Sequence, residues 1–212
     1  MPKLDATTQR ARRENILDAA ERCFARQGFH HTSMQDICRE AGVSPGALYL
    51  YFNSKEDLIA GICEREKTVL ATALASIAEA PDFMAALGQL AQTYCVEEPP
   101  EKLRLHVEIN AEALRNPAVG DFIRSIDAFV IASFERLIAG ARDRGRIDPA
   151  YEPGQIAAMI SIIGDGIYLR RAMDPDFNVK AIMPVILSLV SSLIRPVDEA
   201  KIEARDRSEI AR

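Results

Sequence analysis

Between Thr32 and Lys55 the chain carries a run of side chains suited to holding a polyanion: the hydroxyls of Thr32, Ser33, Ser44 and Tyr49 and the ammonium of Lys55. Hydroxyls, an ammonium and helix N-terminal amides are the groups that contact phosphate oxygens, where they position a partner without reading its sequence. Gly46 has no side chain and permits close approach to a groove. Base edges are then left to Pro45, Ala47, Leu50 and Tyr51. Ala47 and Leu50 offer only apolar contact, which selects thymine methyls. Hydrogen-bonded readout from this stretch is therefore thin. A larger share falls to phosphate contacts and DNA shape, or to the side chains of Thr32, Ser33 and Gln35.

Local signals say which elements present these residues. Thr32 and Ser33 each suit the cap of a helix starting near Met34, with Gln35 and Asp36 at capping-box distance. Ile37 and Ala41 share a face of it, and Gly42 stands where a helix closes in a left-handed conformation. Ser44 and Pro45 open a second helix, expected over 45–51, with Leu48 and Phe52 pointing inward. Seven residues are too few to be stable alone, so neighbours must hold them. Ser54 then caps a longer helix opening at Lys55. Two short capped helices around a glycine turn match a DNA-reading helix-turn-helix.

The run S-P-G-A-L-Y-L-Y-F-N-S-K-E-D-L, with G-F-H-H-T-S-M-Q-D-I and A-G-V upstream, resembles the amino-terminal domain of TetR-type (TetR/AcrR-like) transcriptional regulators. The shared positions are Thr32, Ile37, Ala41, Gly42, Val43, Ser44, Gly46, Tyr49, Phe52, Lys55 and Leu58. They fall within residues 10–60 or so. Pro45 and Leu50 depart from relatives that more often carry polar or basic residues there. The resemblance implies a homodimer on a double-stranded, palindromic DNA operator. It also implies a second domain whose small-molecule effector releases the DNA, with the fourth helix linking the two domains.

Composition and periodicity place the chain as all-α. The resemblance implies an N-terminal three-helix domain with the helix-turn-helix and a larger helical ligand-binding and dimerisation domain. The boundary is expected near residue 60, giving 1–60 and 61–212. Period-two alternation is nearly absent, and Ala, Leu, Ile, Arg and Glu are plentiful. Net charge is −5, yet residues 1–60 hold eight basic and eight acidic residues, so the acidic excess lies downstream. Within residues 1–13, Lys3, Arg10, Arg12 and Arg13 outweigh Asp5 and form a basic arm suited to phosphates or a minor groove. Helices are expected over 8–27, 34–41, 45–51, 55–79, 82–96, 101–115, 118–143, 154–173 and 179–194. Gly28, Pro81, Pro99-Pro100, Asn116-Pro117, Gly145, Asp174-Pro175 and Pro196 punctuate them.

Two of the later helices read as a mating surface. Ile156, Ile160, Ile163 and Ile167 recur at helical spacing, as do Ile182, Ile186, Leu189 and Leu193. They fit a four-helix interface with a second copy, or alternatively the closure of the chain's own core. Effector candidates are polar residues among apolar faces: Tyr94, His106, Asn110, Asp165 and Tyr168. An ion pair of Asp165 with Arg170 or Arg171 is the plainer alternative.

Cys23, Cys38, Cys63 and Cys95 show no CxxC pairing and no metal-like spacing, so packed, reduced thiols in a cytoplasmic protein are expected, with no metal and no cofactor. Met1–Arg13 is polar and basic, unlike a signal segment, and no apolar run has membrane-spanning length. A Gly-rich phosphate loop and a nucleophile elbow are both missing, and only three histidines occur, which argues against an enzyme. The remaining alternative is an all-α interaction module or ligand-binding protein whose helix-turn-helix no longer binds DNA.

Overall fold

The computed structural model describes residues 6–197. Nine α-helices follow one another among them: α1 (Ala6–Gln27), α2 (Met34–Ala41), α3 (Pro45–Tyr49), α4 (Lys55–Glu79), α5 (Phe83–Ala91), α6 (Pro100–Ala113), α7 (Pro117–Asp143), α8 (Pro153–Met173) and α9 (Val179–Ile194). Lys3 of the basic arm and the charged tail beyond residue 197 lie outside the described residues. The expected helix over 82–96 is two pieces, because α5 passes into a π-helical turn, Gln92–Glu97. One isolated antiparallel bridge, Ile147 to Pro196, ties the loop after α7 to the end of α9.

Contacts divide the chain into two compact units. The first joins the residues up to Glu66 with Pro99–Ile126; the second joins Lys67–Glu98 with the residues from Asp127 onward. This differs from a single cut near residue 60. The physical reason is the core of the first unit, where Leu105 and Ile109 of α6 and Val119 of α7 join Phe24, Ile37, Leu48 and Leu58 in one buried cluster. Without α6 that cluster lacks a wall.

In the first unit α1 forms the platform, burying Ile16, Leu17, Ala20 and Phe24 on one stripe. Arg65 of α4 clamps it from outside: its guanidinium reaches Glu21 at 2.6 Å, Asp18 at 2.7 Å and Glu14 at 3.3 Å. Burial raises the Glu21 carboxyl above its ordinary value even with Arg65 beside it. Gly61 allows α4 to lie this close, since a Cβ there would meet Leu17 and Phe52 at 2.9 Å.

In the second unit Ile138, Ile156, Ala157 and Ile194 centre one core, and a smaller cluster gathers Val96, Ile167, Val179 and Met183. Arginines close helix ends by donating to carbonyls that have no helical partner. Arg146 reaches the carbonyls of Ala78, Ala80 and Pro81 at the end of α4. Arg171 reaches those of Cys95 at 3.0 Å and Glu98 at 2.9 Å, at the end of the π-helical turn. All four cysteines are free thiols. Burial raises the thiols of Cys23, Cys38 and Cys95, which keeps them protonated and poorly nucleophilic.

Candidate nucleic-acid interface

The reading head is built from its caps. Ser33 Oγ accepts from the Asp36 amide at 3.1 Å while the Asp36 carboxylate accepts from the Ser33 amide at 2.9 Å, a complete capping box on α2. The Ser33 hydroxyl also donates to the Asp36 carboxylate at 2.5 Å, and this bond together with the one from the Ser33 amide holds the Asp36 carboxyl below the usual carboxylate value. Gly42 closes α2 at φ 66°, a left-handed conformation that penalises any Cβ. Ser44 Oγ accepts from the Ala47 amide at 3.3 Å and Pro45 opens α3. The helix is five residues rather than seven, because its last turn tightens: the Tyr51 and Phe52 amides both bond the Leu48 carbonyl, at 2.9 and 3.1 Å. Leu48 is fully buried and anchors it.

Pro45, Gly46, Tyr49 and Leu50 are exposed and Ala47 is half-exposed; Tyr49 and Leu50 show 50% and 83% of their surface. Gly46 has open space around it, for a Cβ there would meet nothing within 4 Å. Glycine in a helix interior costs roughly 0.5–1 kcal/mol relative to alanine, and here no internal contact requires it. Ser33, Gln35 and Ser44 are also exposed at the starts of the two helices.

Three of the expected contact residues have internal roles. Thr32 is buried, its hydroxyl donating to the Gly28 carbonyl at 2.7 Å to finish the end of α1. The Lys55 ammonium donates to the Phe29 carbonyl at 2.5 Å and lies 4.3 Å from the centre of the Phe29 ring. Tyr51 packs against the core of the first unit. For Thr32 and Lys55 the sequence gives the donor but not the nearer acceptor on its own chain, and for Tyr51 it does not give the packing that turns the ring inward. In the basic arm, Arg13 likewise lies over the Phe52 ring at 5.3 Å and pairs with Glu14 at 3.3 Å. The segment from Gly28 to His31 is pinned further by α6, with the Phe29 amide donating to Glu108 at 3.4 Å and His30 Nε2 lying 2.8 Å from the buried Glu112 carboxylate.

The effector candidates are divided between the two units. His106 and Asn110 belong to α6 of the first unit, where the Asn110 amide donates back to the His106 carbonyl at 2.9 Å. Tyr94 sits in the π-helical turn of the second unit, and Asp165 and Tyr168 on α8. Water reaches Asp165, yet the partly apolar surroundings raise its carboxyl above the ordinary value.

The expected mating register on α8 is also corrected. Ile156 and Ile167 are buried in the second unit's own clusters, and Ile160 and Ile163 are half-buried against them. The exposed apolar ladder is the neighbouring one: Met159, Ile162, Leu169 and Met173, with Gly166 in register. On α9, Ile182 and Leu189 are exposed as expected and Val185 joins them, whereas Ile186 and Leu193 are half-buried in the core. Sequence missed the exposed ladder because α8 is apolar on more than one face, so two ladders fit the same period.

Comparison with known proteins agrees with this geometry. Residues 16–62 match the description "Bacterial regulatory proteins, tetR family", and residues 83–195 match "BetI-type transcriptional repressor, C-terminal". The HTH-type transcriptional regulator UidR of Escherichia coli (strain K12) is 32% identical over 139 residues, covering 65% of this chain and 69% of UidR. The HTH-type nicotine-responsive transcriptional repressor HdnoR of Paenarthrobacter nicotinovorans is 24% identical over 167 residues, 77% of this chain and 85% of that one. The solved structure of Salmonella enterica GusR superposes with a TM-score of 0.74 at 28% identity, over 87% of this chain and 96% of GusR. These relatives are transcriptional regulators rather than enzymes. With two matched segments that together span the helix-turn-helix and most of the second unit, the chain belongs to the TetR family of bacterial transcriptional regulators.

Proposed function

We propose that this protein is a cytoplasmic, homodimeric repressor that holds a palindromic operator through α2 and α3 and releases it when a small molecule binds the helical second unit. The observation that carries the reading is the exposed face of α3. Its Gly46 stands in open space that nothing in the protein uses, beside an exposed Tyr49 and Leu50. A short helix stabilised by two caps and one buried leucine, yet carrying a glycine and an uncovered leucine, is shaped for an external partner. Within the family that partner is DNA.

The contact set is then Ser33, Gln35, Ser44, Pro45, Gly46, Ala47, Tyr49 and Leu50, with Arg10 and Arg12 of α1 available for phosphates. Thr32 and Lys55 support the head from inside. Dimerisation is assigned to the exposed ladder of α8, Met159, Ile162, Leu169 and Met173, with Ile182, Val185 and Leu189 of α9. Seven large apolar side chains uncovered on two helices form the kind of surface that marks an interaction site. Two heads linked in this way suit half-sites about one helical turn, ~34–36 Å, apart. Effector response is supported by relatives such as the nicotine-responsive HdnoR. Tyr94, Asp165 and Tyr168 of the second unit remain its candidates, along with His106 and Asn110 of α6.

Selection of binding sites from random double-stranded DNA at controlled salt tests the proposal. A palindrome should be enriched, and binding should weaken steeply as salt rises. If nothing is enriched at moderate salt, the repressor reading fails and a ligand-binding protein with an inactive head takes its place.

A further inference from the structure

We infer that Leu50 reads sequence on α3, and that what it reads is the C5-methyl group of a thymine in each half-site. The inference rests on the DNA-binding reading above and names the chemistry of that contact. On the exposed face of α3 the side chains are those of Pro45, Ala47, Tyr49 and Leu50, with Gly46 adding none. The Tyr49 hydroxyl is the single polar group among them. The Ser44 hydroxyl caps the helix, the Lys55 ammonium is held by the Phe29 carbonyl, and Tyr51 packs inward. No side chain on this face of α3 has the paired donors that recognise guanine, nor the amide that recognises adenine.

Leu50 is 83% exposed while its backbone stays helical, at φ −70° and ψ −21°. Gly46 and Ala47, four and three residues earlier, therefore share its face. Together they present an isobutyl group, one methyl and an open space, which is an apolar surface. The major groove displays one apolar group, the methyl on C5 of thymine. Ala47 is half-exposed and short, so Leu50 is the side chain with reach. A methyl on C5 of cytosine has the same position and chemistry, so the site should register that modification too.

The test begins from the palindrome obtained by selection. Each symmetric pair of thymines is replaced in turn by deoxyuridine, which removes the methyl and leaves every hydrogen-bonding atom in place. One pair should cost about four-fold per methyl, hence roughly fifteen-fold for both half-sites. At that pair, C5-methylcytosine should bind better than cytosine. In Leu50→Ala the difference between thymine and uracil should collapse towards unity, with an unchanged melting temperature showing that the head is intact. An enriched palindrome whose deoxyuridine derivatives all bind equally would overturn the inference alone. So would a uracil penalty that persists undiminished in Leu50→Ala. Failure to enrich any sequence would instead sink the DNA-binding reading, and this inference with it.

Discussion

The two units expose apolar surface in opposite ways. The first leaves Tyr49 and Leu50 uncovered at the end of a helix of five residues, which carries a glycine with nothing around it. The second leaves a ladder uncovered along two long helices, with Ile162 at 64%, Met173 at 73% and Val185 at 66%. A short patch cannot supply much association energy but discriminates well when placed against a groove. A long ladder supplies area and reads little. The proposed function places specificity in the first unit and assembly in the second, and the contrast fits that division.

The strongest test of that division is to charge the ladder. Ile162→Glu with Val185→Glu places like charges in the proposed seam and should give monomers by sedimentation. Loss of bivalency should weaken operator binding by roughly 10²- to 10⁴-fold, although neither residue lies in the head. A protein that stays dimeric would erase the distinction between the two ladders of α8. The complementary change is Ile156→Ala, on the buried ladder. It should cost about 2–5 kcal/mol in unfolding free energy and leave the sedimenting mass of the folded protein unchanged.

Gly46→Ala separates stability from function within α3. It should stabilise the head by about 0.5–1 kcal/mol, measured by denaturant titration, and weaken operator binding by filling the open space. A variant that gains stability and keeps full affinity would show that the space has no external user. An effect of similar size, read by the same titration, concerns the cap of α2. Ser33→Ala should cost about 1 kcal/mol.

The same cap has a pH signature. Asp36 has a carboxyl lowered chiefly by its bonds to Ser33, so its contribution is present above the ordinary aspartate value, ~3.9, and is lost as pH falls through the lower folded value. Glu40, lowered by Arg22 and Arg26, acts in the same direction. Acid titration of Ser33→Ala should therefore show a shallower loss of stability than the wild type.

Helix positions were legible in the sequence because caps and breakers are local. Ser33, Gly42, Ser44 and Pro45 act within four residues of themselves, and α4 and α9 begin and end where the punctuation places them. The π-helical turn after α5 was not legible, since nothing in Q-T-Y-C-V-E forbids an ordinary helix. Among the candidate site residues, the outward placement of Gly46, Tyr49 and Leu50 was readable from the helix phase that Leu48 sets. Thr32 and Lys55 were not, because their partners, the carbonyls of Gly28 and Phe29, are set by how α1 ends and α4 begins. The ladder on α8 was ambiguous for a different reason. A helix apolar all round satisfies the same period in two registers, and tertiary packing chooses between them.

The chain's route through its two units has a consequence for how the protein is made. It enters the first unit, leaves after Glu66, returns at Pro99 and leaves again after Ile126. Leu105, Ile109 and Val119 complete the hydrophobic cluster under the helix-turn-helix. During synthesis, the DNA-reading motif is fully translated more than sixty residues before the last of these side chains emerges. Until then the cluster under the motif lacks those three side chains. That core is completed only once the chain has already passed through the first helices of the second unit, which ties the making of the reading head to that of the unit proposed to control it.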